Sequence, residues 1–263
     1  MNEILSLLKP EDQVLDLGSR SGSFSSSATQ ARVVRLDLDF GPDRSFVQGD
    51  AREMPFRDCY FDAIIANHSL EHIEGLRQCL EEMRRVLKKD GKLYVAVPDA
   101  STFSDRLYRW LAHGGGHVNP IVDAVLFAQL LEAEVGLRVA SSRLLHTSFA
   151  FANVKGPVRW SRRVWLIGGG QEWVLRAASY WARRCDFWLG TRFSVYGWAF
   201  YLGEMASIDE VPATNVCVRC GAAHVSEWLK AIDVVKAGWP WRSYCCPDCR
   251  TENAFTDDAP RPA

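Results

Sequence analysis

The sequence predicts a doubly wound α/β fold with a mostly parallel sheet, a helical insertion and a small domain near the C-terminal end. Three observations predict it. Short apolar runs alternate with helical patterns over the first hundred residues, each run ends at polar or glycine residues, and two spaced cysteine pairs follow residue 215. Apolar runs of this kind are typical of parallel strands that are buried on both faces. Ligands of such sheets bind at the carboxyl ends of the strands.

The first four strands are predicted from apolar runs at Val14–Leu17, Val33–Leu36, Ala63–Ala66 and Leu93–Val97. A helix is predicted from about Gly75 to Leu87, because apolar residues recur on one face. We expect Lys88 and Lys89 at its C-terminal end and Gly91 as its stop.

The later elements follow the same logic. Val122–Val135 predicts a helix, and Leu137–Leu145 and Val195–Leu202 predict two more strands. The gap between Asp37 and Asp50 is short, so we expect no helix there.

Composition limits the class of protein. The chain has 263 residues, of which 48% are hydrophobic, and a formal net charge of −1. This balance gives no argument for a nucleic-acid or acidic-membrane partner. No apolar run reaches the roughly 18 residues that span a bilayer, and the N-terminal stretch, with Glu3, does not fit a signal peptide. We therefore expect a cytoplasmic protein.

The first strand continues into a glycine- and serine-rich loop, VLDLGSRSGSF, at residues 14–24. A dinucleotide-binding loop that starts at Gly18 would need glycine at two positions where Arg20 and Ser23 stand, and the P-loop pattern is absent. Asp16, at the strand end, would repel a pyrophosphate. It suits a ligand with an ammonium group, such as S-adenosylmethionine (SAM), which carries no phosphate.

A second acid follows the next strand. Asp37 lies 21 residues after Asp16, the usual distance for an acid that hydrogen-bonds a ribose diol. A turn residue that ends the strand is the alternative. Asp39 is a poorer candidate because it lies past the strand end.

At these residues the chain resembles the class I SAM-dependent methyltransferases, which have a Rossmann-like fold, and above all their small-molecule enzymes. The resemblance is carried by VLDLGSRSG, RLDLD, GDAREMPFRDCYFDAIIANHSLEHI and EEMRRVLKKDGKLYVAVPD, in that order. It covers residues 1–100 closely, and 117–145 and 195–202 more loosely. The resemblance implies that the protein transfers a methyl group from SAM.

The resemblance implies that Asp16, Gly18 and Gly22 hold the methionine portion of SAM and that Asp37 holds the ribose hydroxyls. Arg20 replaces the usual middle glycine of the family. Its side chain either points to solvent or pairs with the carboxylate at the methionine end of SAM.

The remaining SAM contacts come from later motifs. The resemblance implies that Asp50 accepts a hydrogen bond from the adenine amino group, with Ala51 beside it. Asn67 and His68, after the strand Ala63–Ala66, would line the cleft near the methyl group.

Methyl transfer needs a base only when the acceptor loses a proton, as a hydroxyl does. His117 ends the stretch HGGGH, where a mobile lid residue would enter the site, and His68 follows a strand end. Both are candidate catalytic residues for an O-methylation. A solvated loop histidine is the alternative for His117, and His72 is more typical of a packing residue.

Residues 155–192 hold five tryptophans and eight Lys/Arg against two acids. A helical lid over the acceptor side of the sheet is one interpretation. An interfacial surface that meets a membrane or a lipid-linked acceptor is a second, and nucleic-acid binding is a third, weaker one. Three glycines at 168–170 predict two short helices.

The C-terminal cysteines have the spacing of a four-thiolate zinc ribbon. Cys217 and Cys220 form one C-x2-C pair, and Cys246 and Cys249 form another after 25 residues. Cys245 would give the wrong spacing and is the expected spectator. A redox dithiol is the alternative. We expect structural Zn²⁺, in a ribbon that either stabilises a short tail domain or meets a protein partner.

We therefore expect a methyltransferase domain at 1–207, with a lid insertion at about 155–192, a ribbon at 211–252 and a disordered tail at 253–263. The expected acceptor is a small molecule or a glycan- or lipid-linked intermediate. An RNA methyltransferase that uses the ribbon for recognition, and a non-catalytic SAM-fold subunit that binds a partner, are the rival functions.

Overall fold

The computed structural model describes residues 1–18, 22–39, 45–112, 116–155, 162–205, 208 and 212–257. The chain divides into two compact units. The first comprises Met1–Asp99, His117–Arg143 and Trp198–Glu210, and the second comprises Ala100–Gly116, Leu144–Gly197 and Val211–Ala263. The boundary that we expect between 207 and 211 falls in residues that the structure, apart from Ile208, does not describe.

A seven-stranded sheet forms the centre of the fold. Its strands in chain order are β1 Gln13–Leu17, β2 Arg32–Asp37, β3 Phe46–Gln48, β4 Phe61–Asn67, β5 Leu87–Pro98, β6 Val139–His146 and β7 Val195–Leu202. They lie side by side in the order β3-β2-β1-β4-β5-β7-β6. The β1–β2, β1–β4, β2–β3 and β4–β5 pairs are parallel. The predicted doubly wound sheet is confirmed.

The strand order places a ligand crevice. From β1 the chain builds β2 and β3 on one side and β4 and β5 on the other. Because the connections run to opposite sides, they leave a gap at the carboxyl ends of β1 and β4. Open α/β sheets bind ligands in such a gap. The carboxyl ends of β1, β2 and β4 therefore define the candidate site.

The helices of the chain are α1 Asn2–Leu7, α2 Leu76–Val86, α3 Phe103–Leu111, α4 Ala124–Val135, α5 Glu172–Leu189 and α6 Ser226–Ala231. Shorter 3₁₀ helices lie at Ser26–Ala28, Leu70–His72, Ala150–Ala152 and Arg162–Ile167. None of the described helices is long and apolar enough to cross a membrane.

The core of the first unit forms where α2, α4 and the strands bury their apolar residues. Leu80 and Met83 of α2 pack there with Leu15, Ile64 and Val95 of the sheet, all with no exposed surface. Removing this apolar area from water supplies the main driving force for folding.

The end of α2 differs from our expectation. The helix ends at Val86, and Leu87 already has the extended backbone that opens β5. Gly91 is not the helix stop but lies inside β5, where an added Cβ would come within 2.7 Å of Leu87 Cδ1. Close packing therefore explains this glycine.

The second unit contains the tryptophan-rich residues 155–192. Its 3₁₀ helix and α5 are separated by Gly168, Gly169 and Gly170, which all have positive φ. The predicted break between two helices is confirmed, but α5 is 18 residues long and is not the short helix that we expect. Leu111, Phe149 and Leu175 pack with neighbouring apolar residues in the core of this unit.

The ribbon is built from short antiparallel strands, β8 Asn215–Val216, β9 Ala223–His224, β10 Val235–Lys236, β11 Ser243–Cys245 and β12 Glu252–Ala254. Residues 253–257, which we assigned to the tail, are ordered here: Phe255 is buried and its N–H donates to Arg242 O at 2.8 Å. The rest of the expected tail, 258–263, lies outside the described residues.

Candidate functional site

Asp16 lies near the carboxyl end of β1 and is fully buried. Its Oδ2 accepts a hydrogen bond from Ser23 N at 2.9 Å and lies 3.6 Å from Arg35 Nε. Its Oδ1 is buried and has no hydrogen-bond partner among the described residues. Burial raises the pKa of this carboxyl, while Ser23 and Arg35 oppose the rise. Oδ2 is therefore held by the fold, whereas Oδ1 is not hydrogen-bonded to any described residue.

Arg35 is a residue of the site that the sequence analysis missed. It lies on β2 directly opposite Asp16 in the strand register and is mostly buried. Its guanidinium donates to Phe24 O at 3.3 Å and to Ser45 Oγ at 3.4 Å. It thus connects Asp16 to the loop that follows β1.

The two glycines of the loop are required by their surroundings. Gly18 has φ +66°, and an added Cβ would lie 2.6 Å from Ser69 Cβ. Gly22 has φ +102°, and an added Cβ would lie 2.9 Å from Arg35 Nε. Side chains rarely adopt such φ values. Arg20 belongs to residues 19–21, which lie outside the described part of the chain.

Asp37 is the last residue of β2, as the sequence predicts. Its Oδ1 accepts a hydrogen bond from Asp39 N at 3.1 Å, and its carbonyl accepts one from Gly49 N at 2.9 Å. The first bond is the turn interaction that the sequence left open as an alternative. It engages Oδ1 of the carboxylate.

Asp50 forms an ion pair with Arg52. Both its oxygens accept from the Arg52 guanidinium, with Nη2 at 2.7 Å from Oδ2, and Oδ1 also accepts from Arg52 N at 2.8 Å. These hydrogen bonds lower the pKa of Asp50. Ala51 is half-buried and packs against the core of the first unit. Any contact from Asp50 to a ligand would be made by a carboxylate whose orientation Arg52 fixes.

Asn67 and His68 follow one another at the end of β4. Asn67 lies opposite Ala96 in the register with β5, and His68 N donates to Ala96 O at 2.9 Å. His68 has φ +55°, an uncommon value for a residue with a side chain. Burial and the charges of His117 and His72 lower the pKa of His68.

A buried glutamate brings three histidines together. Glu71 Oε1 lies 3.8 Å from His68 Nδ1 and 4.0 Å from His72 Nε2. The rings of His72 and His117 contact each other edge to face, with centroids 4.8 Å apart. The structure therefore places the two predicted catalytic histidines, His68 and His117, around the same group. The sequence analysis did not single out Glu71.

The four predicted cysteine ligands also converge. Cys217 and Cys249 Sγ lie 3.5 Å apart, Cys220 and Cys246 Sγ lie 3.7 Å apart, and all four sulfurs fall within 4.8 Å of one another. Cys245 is outside the group and its thiol donates to Arg250 O at 3.4 Å. A closed set of four thiolates fits Zn²⁺ in a structural role.

Comparisons with known proteins find similarity to methyltransferases. The sequence model of the family described as a methyltransferase domain matches residues 15–95. A demethylmenaquinone methyltransferase of Renibacterium salmoninarum is 36% identical over 105 residues, covering 36% of this chain and 44% of that protein. A ubiquinone/menaquinone biosynthesis C-methyltransferase of Vibrio campbellii is 32% identical over 107 residues, covering 33% and 41%. The chain therefore spans less than half of the length of these curated relatives.

Among solved structures, one described as a methyltransferase from an antibiotic biosynthesis pathway of Anabaena variabilis has the same fold. It superposes with a TM-score of 0.51 at 15% sequence identity, covering 77% of this chain and 94% of that one. At this identity the likeness concerns the fold alone.

Proposed function

The chain carries a class I SAM-dependent methyltransferase domain, and from this premise we propose that it transfers a methyl group from SAM to a small-molecule or lipid-linked acceptor. The observation that carries the proposal is Asp16. Its fully buried carboxylate has one oxygen bound by Ser23 N and the other, Oδ1, without a hydrogen-bond partner among the described residues. A buried unsatisfied acceptor is costly unless a ligand donates to it.

We infer that Asp16 Oδ1 accepts a hydrogen bond from the ammonium group of SAM. Gly18 and Gly22 support this inference, because only glycine lets the loop backbone pass Ser69 and Arg35 at the observed distances. Asp37, at the end of the neighbouring strand β2, is then within the same row of strand ends and would accept hydrogen bonds from the ribose hydroxyls.

The adenine would lie beyond Asp37, toward β3. We propose that Asp50 accepts from the adenine amino group and that Ala51 contacts the ring. The Arg52 guanidinium supports this role, since it keeps Asp50 ionised and fixes its orientation. Asn67 would line the cleft on the side of the methyl group, at the end of β4.

SAM supplies an electrophilic methyl group on a sulfonium. The protein therefore has to hold the acceptor atom in line with the carbon–sulfur bond and, for a hydroxyl acceptor, remove one proton. We propose an oxygen acceptor, because His68, His72 and His117 cluster next to β4 where a hydroxyl proton would be removed. His68, whose Nδ1 lies 3.8 Å from Glu71 Oε1 at the end of β4, is the proposed proton acceptor. The Vibrio relative is named for C-methylation, so the methylated atom is the part of the proposal that experiment decides.

The cysteine cluster is proposed to hold one structural Zn²⁺. Cys217, Cys220, Cys246 and Cys249 form a set of soft donors that leaves no open position for chemistry. The Asn253 amide donates to Cys217 Sγ at 3.5 Å, and Arg219 N does so at 3.4 Å. Such donors stabilise thiolate charge around a metal.

The aromatic face of α5 supports a lipid-linked acceptor. Trp173, Trp181 and Trp188 are 66%, 51% and 53% exposed. The Arg184 guanidinium stacks over the Trp188 ring at 4.5 Å. Exposed tryptophan with arginine is typical of surfaces that rest on lipid head groups.

Mass spectrometry of cells that contain the wild-type protein, Asp16→Ala or Asp39→Ala tests the proposed function. We expect a metabolite or lipid that gains one CH2 unit with the wild type and with Asp39→Ala, and no gain with Asp16→Ala. Methylated RNA in place of a metabolite would favour the RNA-methyltransferase function. No methylated product, or equal product from Asp16→Ala, would contradict the proposal and favour a non-catalytic role.

A further inference from the structure

We propose that Glu71, His72 and His117 bind a divalent transition-metal ion, which coordinates the acceptor hydroxyl during methyl transfer. The role in methyl transfer rests on the proposed function, whereas metal binding does not. One ligand atom from each of the three side chains lies within 4.8 Å of the other two. Around a metal with bonds of about 2.1 Å, neighbouring ligand atoms lie about 3.4 Å apart, so small side-chain rotations complete the site.

The two chain segments of the site are fixed to each other by backbone hydrogen bonds. Val118 N and Asn119 N donate to Glu71 O at 2.8 and 3.0 Å. The Asn119 side chain donates to Leu70 O at 2.8 Å and to Ile73 O at 2.7 Å. These four bonds hold His117 against the 3₁₀ turn that carries Glu71 and His72. A preorganised ligand set of this kind loses little entropy when a metal binds.

Burial of the carboxylate strengthens the inference. Glu71 is 1% exposed, while the His72 and His117 rings border solvent more closely. A bound cation would offset part of the cost of burying this carboxylate. Imidazole ligates metals in its neutral form.

The donor set points to the kind of metal and to its role. Two imidazoles and one carboxylate suit Zn²⁺, Co²⁺ and Fe²⁺ better than Mg²⁺ or Ca²⁺. Three protein ligands leave at least one coordination position open, as in catalytic metal sites. The four-cysteine cluster, in contrast, is closed. The chain therefore holds two metal sites of different chemistry.

The step that the metal would assist is balanced as follows. The acceptor hydroxyl would bind the metal, which would lower the pKa of the hydroxyl, and its proton would pass through His68 to solvent. The oxygen then forms a bond to the methyl carbon while the carbon–sulfur bond breaks, and the bonding pair stays on sulfur. The products are the methylated acceptor, neutral S-adenosylhomocysteine and one proton, and the metal keeps its oxidation state.

A cobalt titration of the whole chain, loaded with only one equivalent of zinc for the four cysteines, tests the proposal. Co²⁺ at a histidine–carboxylate site gives weak visible bands without the strong near-ultraviolet absorption of cobalt–thiolate bonds, so the two sites are distinguished. We expect the weak bands to saturate at one cobalt per chain. His72→Ala and Glu71→Gln should weaken the affinity at least about tenfold. Glu74→Gln, the same change at an exposed neighbour, should leave it unchanged.

Weak bands of wild-type affinity in both His72→Ala and Glu71→Gln, or no cobalt bound outside the thiolates, would overturn the metal site. If Glu71→Gln fails to fold, His72→Ala decides, because the His72 side chain is 40% exposed and its removal leaves the buried carboxylate in place. SAM calorimetry on the same samples separates the two proposals. Cobalt binding without SAM binding overturns the function alone, and SAM binding without cobalt overturns the metal alone.

Discussion

Asp16 on β1 and Arg35 on β2 face each other in the sheet, with Asp16 Oδ2 3.6 Å from Arg35 Nε. Asp16 has no exposed side-chain surface and Arg35 has 10%. The negative charge of Asp16 is therefore compensated by Arg35 inside the protein before any ligand binds. This pairing revises the sequence argument, in which the cationic ligand alone accounts for Asp16. Arg35 and Ser23 N together orient the carboxylate so that Oδ1 is the oxygen without a described hydrogen-bond partner.

Removing the cation of this pair should destabilise the first unit. Arg35→Met leaves a buried carboxylate without its partner, which costs about 3 kcal/mol of unfolding free energy. Denaturant titration measures the change. Arg32→Met, at an exposed position on the same strand, should stay within about 0.5 kcal/mol of the wild type. Equal stability of the two variants would show that Arg35 does not compensate Asp16.

The ribbon makes a prediction that separates two adjacent cysteines. Cys246→Ser should lose most of the bound zinc and unfold at lower temperature, because its sulfur lies within the four-cysteine cluster. Cys245→Ser should keep one zinc per chain at the ribbon, since the Cys245 thiol contacts Arg250 O instead. Metal analysis of the two purified variants, each carrying the His72→Ala change to remove the other proposed site, checks this. Full zinc in the Cys246 variant would contradict the ligand assignment.

Stability should fall in acid because of His146. Burial and the positive charge of Arg183 lower the pKa of His146 from 6.5 to about 3, and its Nδ1 lies 3.2 Å from Ser194 Oγ. Between pH 6.5 and about 3, His146 is therefore protonated in the unfolded chain but neutral in the folded chain. This group makes the protein less stable by about 1.4 kcal/mol for each pH unit between those two values.

The matching variant is His146→Gln, which keeps a polar group next to Ser194 and does not titrate. Its unfolding free energy, measured by denaturant at a series of pH values, should depend less steeply on pH than that of the wild type from 6.5 downward. Parallel pH profiles for the two proteins would show that His146 is not responsible. Arg183, whose charge acts on His146, and Asp186, which accepts a hydrogen bond from Ser194, are present in both proteins and cancel in the comparison.

The central strands could be predicted because each is a short apolar run buried on both faces. Val14–Leu17 lies within β1, and Val195–Leu202 coincides with β7. β3 was missed because Phe46–Gln48 is only three residues long and Gln48 is exposed. The start of β5 was assigned to a helix end, since Lys88 and Lys89 are as typical of a helix terminus as of a strand edge.

The residues of the site could be predicted only where they belong to a motif that is continuous in the sequence. Asp16 and Gly18 belong to one continuous motif, and the structure places them at the expected strand end. Arg35 carries no such signal, because its role depends on the register between β1 and β2. Glu71 and His117 lie far apart in the chain, and only the fold brings them together.

SAM binding by the wild type and by Asp37→Ala tests the central claim most directly, with Asp39→Ala as the matched control. Asp37 ends β2, whereas Asp39 is exposed and lies past the strand end. Loss of hydrogen bonds between a carboxylate and the ribose hydroxyls should weaken binding tenfold to about a hundredfold.

Isothermal titration calorimetry of the three proteins with SAM is the measurement. The account predicts one SAM per chain for the wild type and for Asp39→Ala, and much weaker binding for Asp37→Ala. Equal binding by all three proteins, or no binding by the wild type, would contradict it.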